Sequence, residues 1–134
     1  MPISDITLQQ DATSGTTVGG SEITLSSDGV EVKNGKHVAD MGEPDFTIRT
    51  NASFRSRNPQ RLADGTYSKG KRFVTVVVPK DLGGDEGVVF NLVRIEVEAH
   101  PKTSVAELTN LHMLGAQMFT DPDTQDFLLY GSLA

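Results

Sequence analysis

The chain has no cysteine and no tryptophan, and only two of its 134 residues are tyrosine. Without cysteine there is no disulfide framework, no thiolate zinc site and no thiol nucleophile. The three histidines, His37, His100 and His112, stand far apart and leave little material for a transition-metal centre. No apolar run approaches the roughly 18 residues a spanning helix needs, so no membrane partner is expected. The opening Met1-Pro2-Ile3-Ser4-Asp5-Ile6 lacks the positive charge and apolar stretch of a secretory leader. The chain is therefore expected to be made and kept in a cytosol, and Asn51-Ala52-Ser53 carries no weight as a glycosylation acceptor.

What is present suits one domain over residues 1–134. A chain of this length buries roughly 68% of its unfolded surface, enough for a core without covalent staples. With 37% apolar and 22% charged residues, the composition is that of a folded globular chain. The net charge of −6 excludes a basic nucleic-acid coat by composition alone. Its distribution is uneven, however. Between Arg49 and Arg72 seven bases stand against one acid, Asp64; the remainder holds five bases and seventeen acids. A basic middle with acidic flanks can carry a local polyanion site, because phosphates respond to the nearby field; a solvated rim would show the same charges.

The first hundred residues alternate as strands do. Ile6-Thr7-Leu8 and Ile23-Thr24-Leu25 are short alternating pieces, separated by a Gly/Ser/Thr-rich connection from Ala12 to Gly20. Asp28-Gly29 is turn chemistry. Val30-Glu31-Val32 followed by Asn34-Gly35 predicts a tight hairpin returning along Lys36 to Met41. Asp45 to Ser56 reads as one long strand, with Phe46, Ile48, Thr50, Ala52 and Phe54 opposite Thr47, Arg49, Asn51, Ser53 and Arg55. Arg57 to Gly70 is a polar connection. Lys71 to Pro79 holds a β-branched run suited to a sheet interior. Lys80 to Gly87 is a glycine-rich loop. In Val88 to Ala99, Val89, Asn91, Val93, Ile95 and Val97 oppose Phe90, Leu92, Arg94, Glu96 and Glu98.

The period then changes. Ser104-Val105-Ala106-Glu107 is a capping box, and Val105, Leu108, Leu111, Gly115, Met118 and Phe119 recur at helical spacing. Asp121-Pro122 opens a second helix, with Phe127, Leu128, Tyr130 and Leu133 on its apolar side. About seven strands followed by two helices predict an antiparallel α+β domain with the helices on one sheet face. The opposite face mixes bases with isolated aromatics, as a nucleic-acid surface does; a half-polar solvent face, or one buried in an assembly, would show the same mixture.

Enzymatic constellations are poor. Asp121, Asp123 and Asp126 lack the glycine and closing glutamate of an EF-hand and read as helix capping. Gly83-Gly84-Asp85-Glu86-Gly87 lacks the lysine and hydroxyl of a phosphate loop. Glu96 and Glu98 share a strand face with nothing else of a sugar site, and no serine sits in a Gly-x-Ser-x-Gly elbow. His112 lies near the apolar side of a helix and reads as packing. No catalytic residue, metal or cofactor is expected.

This layout resembles the coat proteins of single-stranded RNA bacteriophages, the levivirus group, over nearly the whole chain. The resemblance rests on Ala52-Ser53-Phe54-Arg55-Ser56, on Arg72-Phe73-Val74-Thr75-Val76-Val77-Val78-Pro79-Lys80, on Ile95 to His100 leading into the capped helix, and on Phe127-Leu128-Leu129-Tyr130-Gly131. It implies an N-terminal β-hairpin, a five-stranded antiparallel sheet and two C-terminal helices, in an intertwined homodimer whose copies pair edge to edge. Dimers would close into an icosahedral shell, a virion assembled in the bacterial host cytoplasm, with the loop from Lys80 to Gly87 adopting different conformations around the symmetry axes. The sheet would face the packaged single-stranded RNA genome and bind an RNA hairpin, repressing translation. Matching positions make Arg49, Asn51, Ser53 and Arg55 RNA-binding on one strand, Lys71, Phe73 and Thr75 on the next, and Phe90, Leu92 and Arg94 on the last. Phe90 falls where relatives carry a base-stacking tyrosine but has no hydroxyl. Leu92 stands where an acidic residue is common, and Phe73 replaces a polar type. A small dimeric β-rich nucleic-acid-binding module without a shell is the alternative reading.

Overall fold

A computed structural model describes residues 5–12 and 19–131. Six strands form one sheet in chain order: β1 (Ile6–Gln10), β2 (Ser21–Ser27), β3 (Gly35–Asp40), β4 (Asn51–Arg57), β5 (Gly70–Asp81) and β6 (Val88–Ala99). Every neighbouring pair is antiparallel. Two helices follow, α1 (Val105–Thr120) and α2 (Pro122–Tyr130). The N-terminal hairpin is thus continuous with the rest of the sheet. The connection expected over 12–20 lies, for 13–18, outside the described residues, as does Leu133.

The buried core is small and sits at the β1–β4 end. Leu25 and Val38 are fully buried, with Ala52 beside them. Ile6, Leu8 and Ile23 from the first hairpin, with Phe54 and Val76, pack against this trio. Alternation explains the set. Val38 pairs with Ala52, and Ala52 with Val76, so one face of three strands turns inward together.

Local side-chain chemistry overrides that alternation in three places. Asp45 accepts hydrogen bonds at Oδ1 from the Thr47 amide (3.0 Å) and hydroxyl (2.7 Å), turning Phe46–Ile48 into a 3-10 turn. The long strand expected from Asp45 therefore starts only at Asn51, and Arg49 does not lie on it. Val30–Val32 is not a strand either. Of Asn34 and Gly35 only Asn34 has a positive φ, whereas the tight two-residue turn needs both. A longer loop over 28–34 joins β2 to β3, closed by Asp28 accepting from the Val30 amide (3.0 Å). Gly35 is needed for close approach: a Cβ there would lie 2.0 Å from the Phe54 carbonyl oxygen. The polar connection after Arg57 is an ordered hairpin. Arg61 bridges to Tyr67, the Leu62 amide donates to the Thr66 carbonyl (2.7 Å), and Asp64 accepts from the Thr66 amide and hydroxyl.

The helices are capped as their sequence requires. The Ser104 hydroxyl accepts from the Glu107 amide (3.2 Å) and donates to its carboxylate (3.0 Å). Asp121 accepts from the Asp123 and Thr124 amides (both 3.1 Å), with Pro122 in the first turn. Neither helix has a buried residue, and they pack chiefly against each other. The expectation that they cover a face of their own chain's sheet is thus not met. Val93 and Ile95, on the apolar side of β6, stay 47% and 43% exposed.

Leu25→Ala truncates one of the two large fully buried side chains of the core. It should cost about 2–5 kcal/mol, read as a lower urea midpoint. A second expectation concerns acid. The Thr66 hydroxyl and amide hold Asp64 below the usual carboxylate range, and those of Thr47 do the same for Asp45. A carboxyl with a depressed folded pKa stabilises the protein above its ordinary value, and that stability is lost as pH falls through the folded one. The urea midpoint should fall below about pH 4, and Asp64→Asn should make the fall shallower.

Candidate nucleic-acid interface

The register of β3 to β6 assembles a second face, opposite the core. Its rows run Ala39–Asn51–Val77–Leu92, His37–Ser53–Thr75–Arg94 and Gly35–Arg55–Phe73–Glu96, with Arg57–Lys71–Glu98 at one end and Pro79–Phe90 at the other. Strands lie about 4.8 Å apart, so Ser53 and Arg94, two strands apart, stand about 10 Å from each other along a row. Nine of the ten residues assigned from sequence lie on this face: Asn51, Ser53, Arg55, Lys71, Phe73, Thr75, Phe90, Leu92 and Arg94.

Arg49 is the exception. It follows the 3-10 turn, half-buried, and its Nε donates to the Glu43 carbonyl oxygen (2.7 Å). A second guanidinium nitrogen rests 3.8 Å from the Met41 sulfur. Its donors tie down the β3–β4 connection.

The cations on the face are not equivalent. Lys71 Nζ lies 3.3 Å from a Glu96 oxygen and 3.8 Å from a Glu98 oxygen, so two carboxylates neutralise it. Arg55 and Arg94 are exposed and make no hydrogen bond or ion pair among the described residues. Their guanidiniums, with that of the equally exposed Arg57 at the end of the face, are open to a phosphate. Phe90 is 63% exposed, a ring face offered to solvent at the far end. Cations near the middle can bind a polyanion backbone, and an exposed ring at the far end can stack a base.

Sequence reasoning missed His37. It occupies the same row as Ser53, Thr75 and Arg94, on β3. Its Nδ1 lies 3.0 Å from the Asp28 carboxylate. Partial burial pushes Asp28 up, but the hydrogen bonds from His37 and the Val30 amide and the imidazole's charge outweigh it, and the carboxyl ends below its usual range. Alternation along Lys36 to Met41 could have placed His37 on this face, had the preceding turn been read correctly.

Among the described residues no group of histidine and carboxylate side chains could hold a metal ion. Among the described residues no helix is long and apolar enough to cross a membrane.

No protein-family model and no curated protein matches the chain. Solved structures do. The virus-like particle of bacteriophage GQ-907 is 44% identical, with a TM-score of 0.79 over 92% of each chain. The virus-like particle of bacteriophage AVE019 is 12% identical, with a TM-score of 0.73 over 98% of this chain and 97% of that one. The virus-like particle of Beihai levi-like virus 21 has the same 12% identity and a TM-score of 0.70, over 100% and 98%. The last two share the fold; the first, by its identity and coverage, carries kinship. With the six-stranded sheet, the two capped helices and the uncovered apolar surfaces already described, the chain belongs to the coat proteins of levivirus-like RNA phages.

Proposed function

We propose that two copies of the chain join along β6 into one continuous sheet, that each copy's helices cover the other's bare apolar face, and that these dimers close into a shell around single-stranded RNA. One observation carries the reading. The chain has two large apolar surfaces that it does not bring together: the Val93–Ile95 side of the sheet, and helices with Leu111, Leu114, Met118 and Phe119 exposed. Burying apolar area yields about 25 cal/mol per Å², so two such surfaces left in water on one chain favour a second copy strongly. The sheet's edge adds to it. β6 is twelve residues long and lies last in the strand order, leaving its outer backbone groups without a neighbouring strand. Such an edge is a template for pairing, and an isologous β6–β6 contact would satisfy it. Kinship with a chain that forms a virus-like particle supports closure into a shell.

The face bearing Arg55, Arg94 and Phe90 would then be the floor turned to the genome, with the arginines on phosphates and Phe90 on a base. Asn51, Ser53 and Thr75 supply short polar side chains between them. The same floor would bind an RNA hairpin, repress translation and mark the genome for packaging. The site of action would be the virion, assembled in the bacterial host's cytoplasm, and the protein's work would be structural.

Electron microscopy of the purified protein should show closed shells of one size holding nuclease-protected RNA; dimers at every concentration would refute shell formation. Ile95→Asp places a charge in the apolar face and should leave monomers in sedimentation. Replacing Arg55 and Arg94 together by Ala should keep the shell but weaken RNA binding, with a salt slope shallower by about 0.7 per lost phosphate contact. Phe90→Ala should cost about 1–3 kcal/mol if its ring stacks on a base. Unchanged binding in all these variants would remove this face as the RNA site.

A further inference from the structure

His37 and Asp28 stand outside the roles assigned so far, yet their placement is specific. β2 and β3 pair through Ser27 and Val38, and one step further the same register sets Asp28 opposite His37. The pair is a cross-strand contact at the border of the floor, with Nδ1 and the carboxylate 3.0 Å apart. Its side chains are 17% and 15% exposed, so solvent screens the two charges less than at a free surface. His37 shares its row with Ser53, Thr75 and Arg94, and Arg55 lies diagonally across on β4. The other charged groups between them in the chain are Glu31 and Lys33 of the β2–β3 loop and Lys36, which falls on the opposite face of β3.

We infer that the His37–Asp28 pair sets the charge at the edge of the RNA floor, so that RNA binding weakens as His37 loses its proton. The inference rests on the RNA-facing assignment of this face. Asp28 holds its charge throughout the relevant range. With the imidazolium present the pair is neutral, and the row's uncompensated charge is the Arg94 cation alone. With the imidazole neutral, an uncompensated carboxylate borders the floor and repels phosphates. Histidine is the side chain that makes this change between pH 5 and 8. The difference is one unit of charge per subunit, worth roughly a three- to tenfold change in affinity for a nearby phosphate chain. Asp28 is thus a positioning residue: it orients the ring through Nδ1 and leaves Nε2 as the atom able to face RNA.

The test is fluorescence polarisation of a labelled single-stranded RNA oligonucleotide with the full-length chain, from pH 5.5 to 8 at fixed ionic strength. Wild type should bind about three- to tenfold more weakly at pH 8 than at pH 5.5. His37→Gln should bind weakly and without that pH dependence. His37→Arg should bind tightly at both ends of the range. Asp28→Asn should bind more tightly than wild type at pH 8, and it carries the test if His37→Gln does not fold. The same pH profile in His37→Gln as in wild type, or no gain in Asp28→Asn, would overturn the inference while leaving the RNA floor standing. If wild type binds no RNA at any pH, the RNA-facing assignment itself fails.

Discussion

The last strand of the sheet is also its edge, and the chain leaves that edge to make its helices. β6 ends at Ala99, the Ser104 cap starts α1 five residues later, and both helices run without burying a residue. A helix needs a surface for its apolar stripe, and a sheet needs a layer over its apolar face. In this chain the two needs are complementary but unmet by each other. Only the β1–β4 end solves the problem internally, by laying the first hairpin's Ile6, Leu8 and Ile23 on Leu25, Val38 and Ala52. The rest leaves apolar surface bare, and the β6 edge leaves its outer backbone groups without a neighbouring strand. Both deficits point to the same remedy, a second copy related by a two-fold axis.

Charge is divided by the same geometry. The chain is acidic overall, yet its bases gather between Arg49 and Arg72. The pleat then sorts them. Arg55, Arg57 and Lys71 fall on the polar face, whereas Arg72 falls on the other, donating to the Arg57 and Lys71 carbonyl oxygens. Glu96 and Glu98 border the polar face and bind Lys71. The field open to an anion is therefore narrower than the sequence count suggests and rests on Arg55, Arg57 and Arg94. A neutralised lysine beside two carboxylates marks a boundary of the floor, and the His37–Asp28 pair occupies the other side.

The long strands were legible because period two persists over many residues: β6 occupies Val88–Ala99, and its two faces divide as alternation required. The helix starts were legible because Ser104, Glu107, Asp121 and Pro122 each satisfy a backbone need that can be named. The errors came where a short polar side chain competes with the strand. Asp45 captured Thr47 and ended an alternating run that hydrophobicity alone extended, taking Arg49 off the face. Asn34-Gly35 carried a strong hairpin signal, but the contact between Asp28 and His37, nine residues apart in the chain, closed a wider loop. The site was legible wherever it depended on alternation. It was illegible wherever charge neutralisation depended on register, as for Lys71. No single strand shows which carboxylate will lie across from a base.

One loop is built differently from everything around it. Gly83, Gly84 and Gly87 all have positive φ, and no atom lies within 4 Å of where a Cβ would stand on any of them. Their requirement for glycine is therefore conformational and not steric crowding. The loop joins the two longest strands, whose twelve paired positions hold its ends fixed. It can change shape at little cost to the sheet, because none of the buried residues lies within it. A rigid ladder ending in an uncrowded glycine turn confines any change of backbone shape there to residues 82–87, away from both the β6 edge's backbone and the exposed arginines of the polar face.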